Sequence, residues 1–193
     1  KLINLPGIGI DYDHCDTSNI KKINTVKKSN KIIFLNLQSL FKLLPQDDHI
    51  YLDILKKQPN CCFWFMHGLK NSISSIFKER ISKLFQNHDL SFNEYSIFHP
   101  RCAKDEYLGL IKQSDIILDS LNWSGGNTSL EAISLNKPIV TCPSKFMRGR
   151  HTYSLLRKLN IAETIASSKK KYVEIAVRLA EDKDFRNSII NKI

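Results

Sequence analysis

Between Asp115 and Ser144 the chain reads DIILDSLNWSGGNTSLEAISLNKPIVTCPS, and this stretch constrains the fold more than any other. Residues 116–118 and 139–142 are short, continuous apolar runs of the kind that form strands buried on both faces. Between them a Gly125-Gly126 turn opens a helix at Asn127-Thr128, and Pro143 closes the second run. Two such runs with a helix between them make a βαβ unit, which demands a parallel sheet covered by helices.

The mouth of that helix is suited to an anion. A first helical turn has N–H groups without intrahelical acceptors and carries the positive end of the macrodipole. Gly125 and Gly126 let a ligand approach the backbone, while Asn127, Thr128 and Ser129 add short polar side chains at the same opening. Glu131 follows one turn after Thr128, and that spacing has two readings. It places a carboxylate beside a ligand, or it forms a capping box with Thr128 and no ligand at all. Neither the P-loop pattern nor G-x-G-x-x-G occurs.

The rest of the chain repeats the same alternation. KIIFLNL (31–37), CCFWFM (61–66) and residues 95–98 read as further strands. Helices are expected over 47–57, 71–87, 105–113, 146–159, 169–180 and from 183 onward, with a short edge strand over 161–166. The fold class is therefore α/β, a doubly wound Rossmann-like parallel sheet with strand order near 3-2-1-4-5. Its switch point falls between the strand beginning at residue 31 and that following residue 115. Gln38 and Lys42, at the end of the first strand, then share a crevice with the turn at 125–131.

The helix expected over 146–159 is rich in base: Lys145, Arg148, Arg150, His151, Arg157 and Lys158 flank or occupy it. Arginines in a first turn oppose the dipole, so an anion held between this helix and that at Asn127 accounts for them; a plain basic face is the alternative. The lysine runs near Lys21 and Lys169 are expected to lie away from the site. His67 and His99, just past strand ends, are read as structural.

Composition narrows the function classes. A length of 193 residues with 42% hydrophobic and 25% charged side chains suits one soluble domain. No apolar run approaches the length of a membrane span, and KLINLPGIGIDYD lacks the apolar region of a signal peptide, so a cytoplasmic protein without a membrane partner is expected. The 5 cysteines form no C-x-x-C and are read as reduced thiols. A formal charge of +10 raises nucleic acid as a partner. Because the lysines are scattered, the charge is read as solvated surface instead. Residues 1–29 read as a linker or the tail of a missing N-terminal lobe, with residues 30–193 the domain itself; Asp11-Tyr12-Asp13 in the linker mimics a metal-diphosphate D-x-D but is read as a solvated loop.

Several co-linear blocks resemble one known family: LQSLFKLLPQ, HPRCAKDEYLGLIKQSDIILDS, GGNTSLEAISLNKPIVTCPS with the following RGRHT, and YVEIAVRLAEDKDFR. From residue 31 to the end the chain is similar to the C-terminal catalytic half of the O-linked N-acetylglucosamine transferase and SPINDLY-type glycosyltransferases. The resemblance implies the C-terminal lobe of a GT-B enzyme and an inverting, metal-independent transfer of a sugar to a protein hydroxyl. The donor would be a UDP-sugar, with N-acetylglucosamine the expected sugar, or a GDP-sugar, and no cofactor is implied. It also implies an N-terminal lobe and helical repeats elsewhere in the same protein, so that this piece alone is inactive.

By the same resemblance Lys42 meets the donor diphosphate, and Gly126, Asn127 and Thr128 form the diphosphate-binding mouth; Gln38 and Gly125 beside them are taken as further nucleotide-sugar-binding candidates. The family often has His-Thr-Thr there, whereas this chain has glycine at the histidine position and keeps one threonine. Glu131 matches an acidic residue that binds the ribose, Cys102 and Lys104 fall at the uracil contacts, and Tyr107 falls where a ring stacks on the base. Arg150 is the basic residue assigned to the anion. Two other classes stay open: a non-catalytic nucleotide or nucleotide-sugar binding module, and a polyanion-binding protein working through the basic helix.

Overall fold

The computed structural model describes Tyr12, residues 18–21, Ile23 and residues 30–193. Five strands, β1 (Ile32–Asn36), β2 (Cys61–Met66), β3 (Ser96–His99), β4 (Ile116–Leu118) and β5 (Ile139–Val140), form one sheet in the order β3-β2-β1-β4-β5. All four pairings are parallel. This is the order the alternation predicts, and it puts the switch point between β1 and β4.

Seven α-helices cover the sheet: α1 (His49–Lys57), α2 (Asn71–Gln86), α3 (Lys104–Gln113), α4 (Asn127–Ser134), α5 (His151–Lys158), α6 (Lys169–Glu181) and α7 (Lys183–Ile190). Alternation along the strands sorts the core into two layers. Phe34, Phe63 and Phe65 face one side and pack with buried residues of α1, α2 and α6. Ile33, Leu35, Cys62 and Trp64 face the other and pack with Leu108, Leu110 and Ile111 of α3 and Ala132 of α4. A strand buried on both faces must be apolar at every position, which is why these runs show no polar alternation. Aromatic edges fill the first layer, with Tyr51 set against Phe63 at 5.4 Å and against Phe65 at 5.3 Å between ring centroids.

Three elements differ from their sequence expectation. The helix expected from residue 47 is a single 3-10 turn, Pro45–Asp47, followed by α1. Its acidic residues serve tertiary partners: Asp48 accepts from Arg80 of α2 at 2.6 and 3.0 Å, and Asp47 pairs with Lys169 at 2.7 Å. The helix expected over 146–159 is a 3-10 turn at Met147–Gly149, then α5, with Arg150 between them. The edge strand expected over 161–166 reduces to an isolated bridge between Thr141 and Ile165. There Ile165 N–H turns back onto the Ala162 carbonyl, which curls the chain before a ladder can extend.

Two helices that frame the site end on asparagines in the left-handed region, Asn136 (φ 55) after α4 and Asn160 (φ 56) after α5. The following amides reach back, Lys137 to the Ala132 carbonyl and Ile161 to that of Leu156, and so satisfy carbonyls the helix would leave open. The expected linker and its D-x-D lie mostly outside the described residues; only Tyr12 of that triplet is described. Lys21 ion-pairs with Asp105 of α3 at 2.8 Å, and its carbonyl sits where a Cβ on Gly109 would be. Among the described residues Cys61, Cys62, Cys102 and Cys142 form no disulfide with one another, and Cys15 lies outside the described residues.

Phe65 is fully buried and central, whereas Phe41 is 58% exposed. Phe65→Ala is expected to cost about 3–5 kcal/mol of unfolding free energy in urea titration, and Phe41→Ala within about 0.5 kcal/mol of nothing. A similar loss in both variants would contradict this layering.

Candidate nucleotide-sugar site

The site is built at the carboxyl ends of β1 and β4. Asn36 ends β1, and its Oδ1 accepts the Gln38 N–H at 3.0 Å, which turns the Gln38 side chain across the crevice. Gln38 Nε2 then donates to Thr128 Oγ1 at 2.7 Å, and Gln38 Oε1 accepts from Lys42 Nζ at 3.0 Å. Residues 90 positions apart are thereby joined in one relay, Lys42–Gln38–Thr128. Because Thr128 accepts from Gln38, its own O–H remains a donor for a ligand.

The capping-box reading of Thr128 and Glu131 does not form. The N-cap of α4 is Gly126, without any side-chain cap, and the Thr128 hydroxyl is engaged by Gln38. Glu131 instead faces Tyr107. Burial pushes the Glu131 carboxyl up, opposed by Tyr107 and by the Lys104 charge; burial and the Glu131 charge push the Tyr107 phenol well above its usual range. The buried Tyr107 hydroxyl lacks a hydrogen-bond partner of good geometry.

At the other end of the relay, β4 delivers Asp119 into the interior. Its Oδ1 accepts the Gly125 N–H at 2.8 Å and its Oδ2 accepts the Thr141 hydroxyl at 2.7 Å. Burial raises the Asp119 carboxyl to about 6, with the Thr141 hydroxyl and Gly125 N–H opposing the rise. Gly125 is required here, since a Cβ would meet Ser129 Oγ at 2.3 Å and Thr128 Oγ1 at 2.6 Å. A Cβ on Gly126 would meet nothing within 4 Å, so that position opens onto free space.

The turn at Met147–Gly149 and the start of α5 lock this loop from the far side. Ser124 N–H donates to the Arg148 carbonyl at 2.8 Å, and Ser124 Oγ accepts the His151 N–H at 2.8 Å. Thr152 donates to the Gly125 carbonyl at 3.3 Å and bonds Ser129 Oγ at 2.8 Å.

A cleft of about 490 Å³ runs along this edge, lined by Cys102, Lys104, Tyr107, Asn127, Thr128 and Glu131 together with Met66 at the end of β2 and His67 and Leu69 beyond it. Six of the expected residues therefore meet in one cavity. Lys42 does not line it; it stands behind Thr128 in the relay, where burial lowers its ammonium and the Asp119 charge opposes that. Arg150 does not line it either: its Nη1 donates to the Ser144 carbonyl at 3.1 Å and its guanidinium stacks on Tyr153 at 4.6 Å. Since Arg148 and Arg150 precede α5, the argument that they oppose its dipole from within a first turn is corrected: carbonyls and aromatic faces accommodate them.

Lys169 also comes closer than its sequence position suggests, because Asp47 Oδ2 accepts from Asn122 at 2.7 Å, next to Trp123. His99 is buried with Nε2 unpartnered, and burial lowers it to about 4; its ring packs edge-on to Trp64 at 4.6 Å, as a structural histidine would. No helix among the described residues is long and apolar enough to cross a membrane, and none of their His, Cys, Asp and Glu groups is arranged to hold a metal ion.

The profile of glycosyl transferase family 41 matches residues 21–193. The chain belongs to that family. A UDP-N-acetylglucosamine–peptide N-acetylglucosaminyltransferase of Caenorhabditis elegans is 26% identical over 153 residues, 79% of this chain and 13% of that protein. The chain thus spans a small part of its curated relative. An O-GlcNAc transferase of Thermobaculum terrenum superposes with a TM-score of 0.76 at 23% identity, over 84% of this chain and 31% of that one. The Anabaena protein HepE, solved with UDP and glucose, gives 0.61 at 16% identity over 84% of this chain and 42% of that one. The family 41 fold seen here is the Rossmann-like α/β lobe of GT-B glycosyltransferases, as the sequence blocks imply.

Asp119, Ser124 and Thr152, which hold the loop at the mouth of α4, escaped the sequence reading. Only Asp119 left a signal, as an acidic residue directly at a strand's carboxyl end in front of the Gly-Gly turn.

The raised Asp119 carboxyl makes a pH prediction. Its folded value of about 6 exceeds the ordinary 3.8, so its contribution to stability is fully present below about pH 4 and is lost as pH rises through 6. Compared with Asp119→Asn, the parent should lose on the order of 3 kcal/mol between pH 4 and 7. A stability difference between the two that stays constant across that range would mean the carboxyl is not raised.

Proposed function

We propose that this lobe holds the donor of a protein glycosyltransferase: a nucleotide-sugar, with UDP-N-acetylglucosamine the first candidate and a GDP-sugar the second. The single observation that carries this reading is the Lys42–Gln38–Thr128 relay beside a cleft whose far end holds Glu131 and Tyr107. A phosphate chain suits the relay and the mouth of α4, and a nucleoside suits the cleft. Family membership and the names of the relatives support the same donor class.

In this reading the diphosphate accepts from Lys42, from the Thr128 hydroxyl and from the first-turn N–H groups of α4. Glu131 accepts the ribose hydroxyls, Tyr107 flanks the base, and Cys102 and Lys104 border the base at the loop before α3. An acceptor hydroxyl of a protein attacks the anomeric carbon from the face opposite the diphosphate. A new C–O bond forms, the bond to the leaving phosphate oxygen breaks with inversion, and its electron pair stays on the diphosphate. Lys42 and the α4 dipole stabilise that growing charge without a metal, an electrostatic role that a partly desolvated ammonium fills well. In this reading the acceptor-binding side and the base that takes the acceptor's proton are supplied from outside this lobe, so the lobe alone binds without turnover. Arg150, spent on Ser144 and Tyr153, supports the loop and does not touch the donor.

Calorimetry with UDP, GDP and uridine tests the assignment. Lys42→Ala should weaken UDP roughly tenfold to a hundredfold and spare uridine, since a charge-assisted contact contributes about 1.5–3 kcal/mol. Glu131→Ala should weaken both ligands by a similar factor. Because burial lowers the Lys42 ammonium, the Lys42-dependent part of UDP affinity should decline at a lower pH than an ordinary lysine would give. Equal loss of uridine in the two variants would defeat the separation of phosphate and ribose roles.

A further inference from the structure

Trp123 stands between two cations. Lys42 Nζ lies 5.2 Å from the centre of its ring and the Arg148 guanidinium 5.4 Å, while Arg148 also lies 5.1 Å from the Phe146 ring. Both rings are exposed, Trp123 at 44% and Phe146 at 59%, so the guanidinium between them stays open to solvent. Among the described residues the Arg148 guanidinium has no hydrogen bond and no ion pair, in contrast to Arg150. Stacking occupies the faces of a guanidinium and leaves its in-plane N–H donors unspent.

The backbone beneath Arg148 is fixed. Its carbonyl accepts from Ser124 N at 2.8 Å, one residue before the glycine turn, and a Cβ on the next residue, Gly149, would meet Ser144 Oγ at 2.0 Å and the Leu121 carbonyl at 3.2 Å. A fork of donors is thus held on the Met147–Gly149 turn, which is bonded through Ser124 to the loop that forms the mouth of α4. The contacts form a chain: Thr128 lines the cleft with Glu131 and Tyr107 and accepts from Gln38, Gln38 accepts from Lys42, and Lys42 and Arg148 share the Trp123 ring. With the nucleoside beside Glu131 and Tyr107, Arg148 stands at the opposite end of that chain.

Resting on the donor-site reading above, we infer that Arg148 is a specificity-determining residue that recognises the terminal phosphate of a nucleoside diphosphate, and that Trp123 is the positioning residue that holds it. Lys42 serves both phosphates from behind, and Arg148 serves only the second. A nucleoside monophosphate does not reach it.

The test is calorimetry of the 193-residue chain with UDP and with UMP. Arg148→Ala should weaken UDP roughly tenfold and leave UMP unchanged, because one charge-assisted pair is lost from one ligand only. Arg148→Lys should recover little, since an ammonium neither stacks nor forks in the same way. Trp123→Leu should weaken UDP in part, and Trp123→Phe should retain most of the affinity; a purely structural role for the ring would show as equal losses for UDP and UMP. If the parent binds UDP and Arg148→Ala binds it as tightly, or if UDP and UMP weaken alike, the Arg148 assignment is wrong while the donor site stands. A parent chain that binds neither UDP nor UMP would overturn the donor-site reading, and this assignment with it.

Discussion

The buried carboxylate of Asp119 is the contact on which the rest of the site depends. It bonds the Gly125 amide and the Thr141 hydroxyl, and its own carbonyl accepts from Tyr172 of α6 at 2.8 Å. The end of β4, the glycine turn, the residue after β5 and one covering helix thus converge on a single residue. A buried carboxylate is costly unless its oxygens are satisfied, so this arrangement tolerates little variation in where the Gly125 N–H lies. The direction in which α4 presents its first turn follows from that restriction.

Its charge also sets the field in the crevice. Asp119 partly compensates Lys42, which burial would otherwise drive further toward the neutral amine. The lysine is not directly bonded to that carboxylate, and Gln38 Oε1 is its neutral acceptor. An anion entering at Thr128 meets a positive group that has not been neutralised by a salt bridge. Interactions of this kind gain strength from the low local dielectric, and the ordering is done before the ligand arrives.

The sheet was legible because its information is local. Runs such as IIFLN and CCFWFM are apolar at every position, and a strand buried on both faces needs nothing more to be recognised. The crevice followed from strand order, so Lys42 and Thr128 could be brought together before any coordinates. What the sequence hid is what depends on partners far along the chain. Thr128 and Glu131 have capping-box spacing, but Gln38, 90 residues away, takes the hydroxyl. Arg148 and Arg150 look like helix residues, yet Ser124 and Ser144 hold the turn that keeps both outside α5. Helix-start rules weigh only chain neighbours, and here tertiary hydrogen bonds outweigh them.

The two adjacent glycines make the last distinction. Gly125 is demanded by packing, since any Cβ would strike the hydroxyls of Ser129 and Thr128. Gly126 is not, because the space before it is open. The family resemblance implies a histidine at the second position, where this chain has a glycine that no neighbouring atom requires. That open position lies two residues after Ser124, whose N–H is bonded to the backbone carbonyl of Arg148. Packing thus fixes the first glycine, while the second leaves the backbone at the mouth of α4 open to approach.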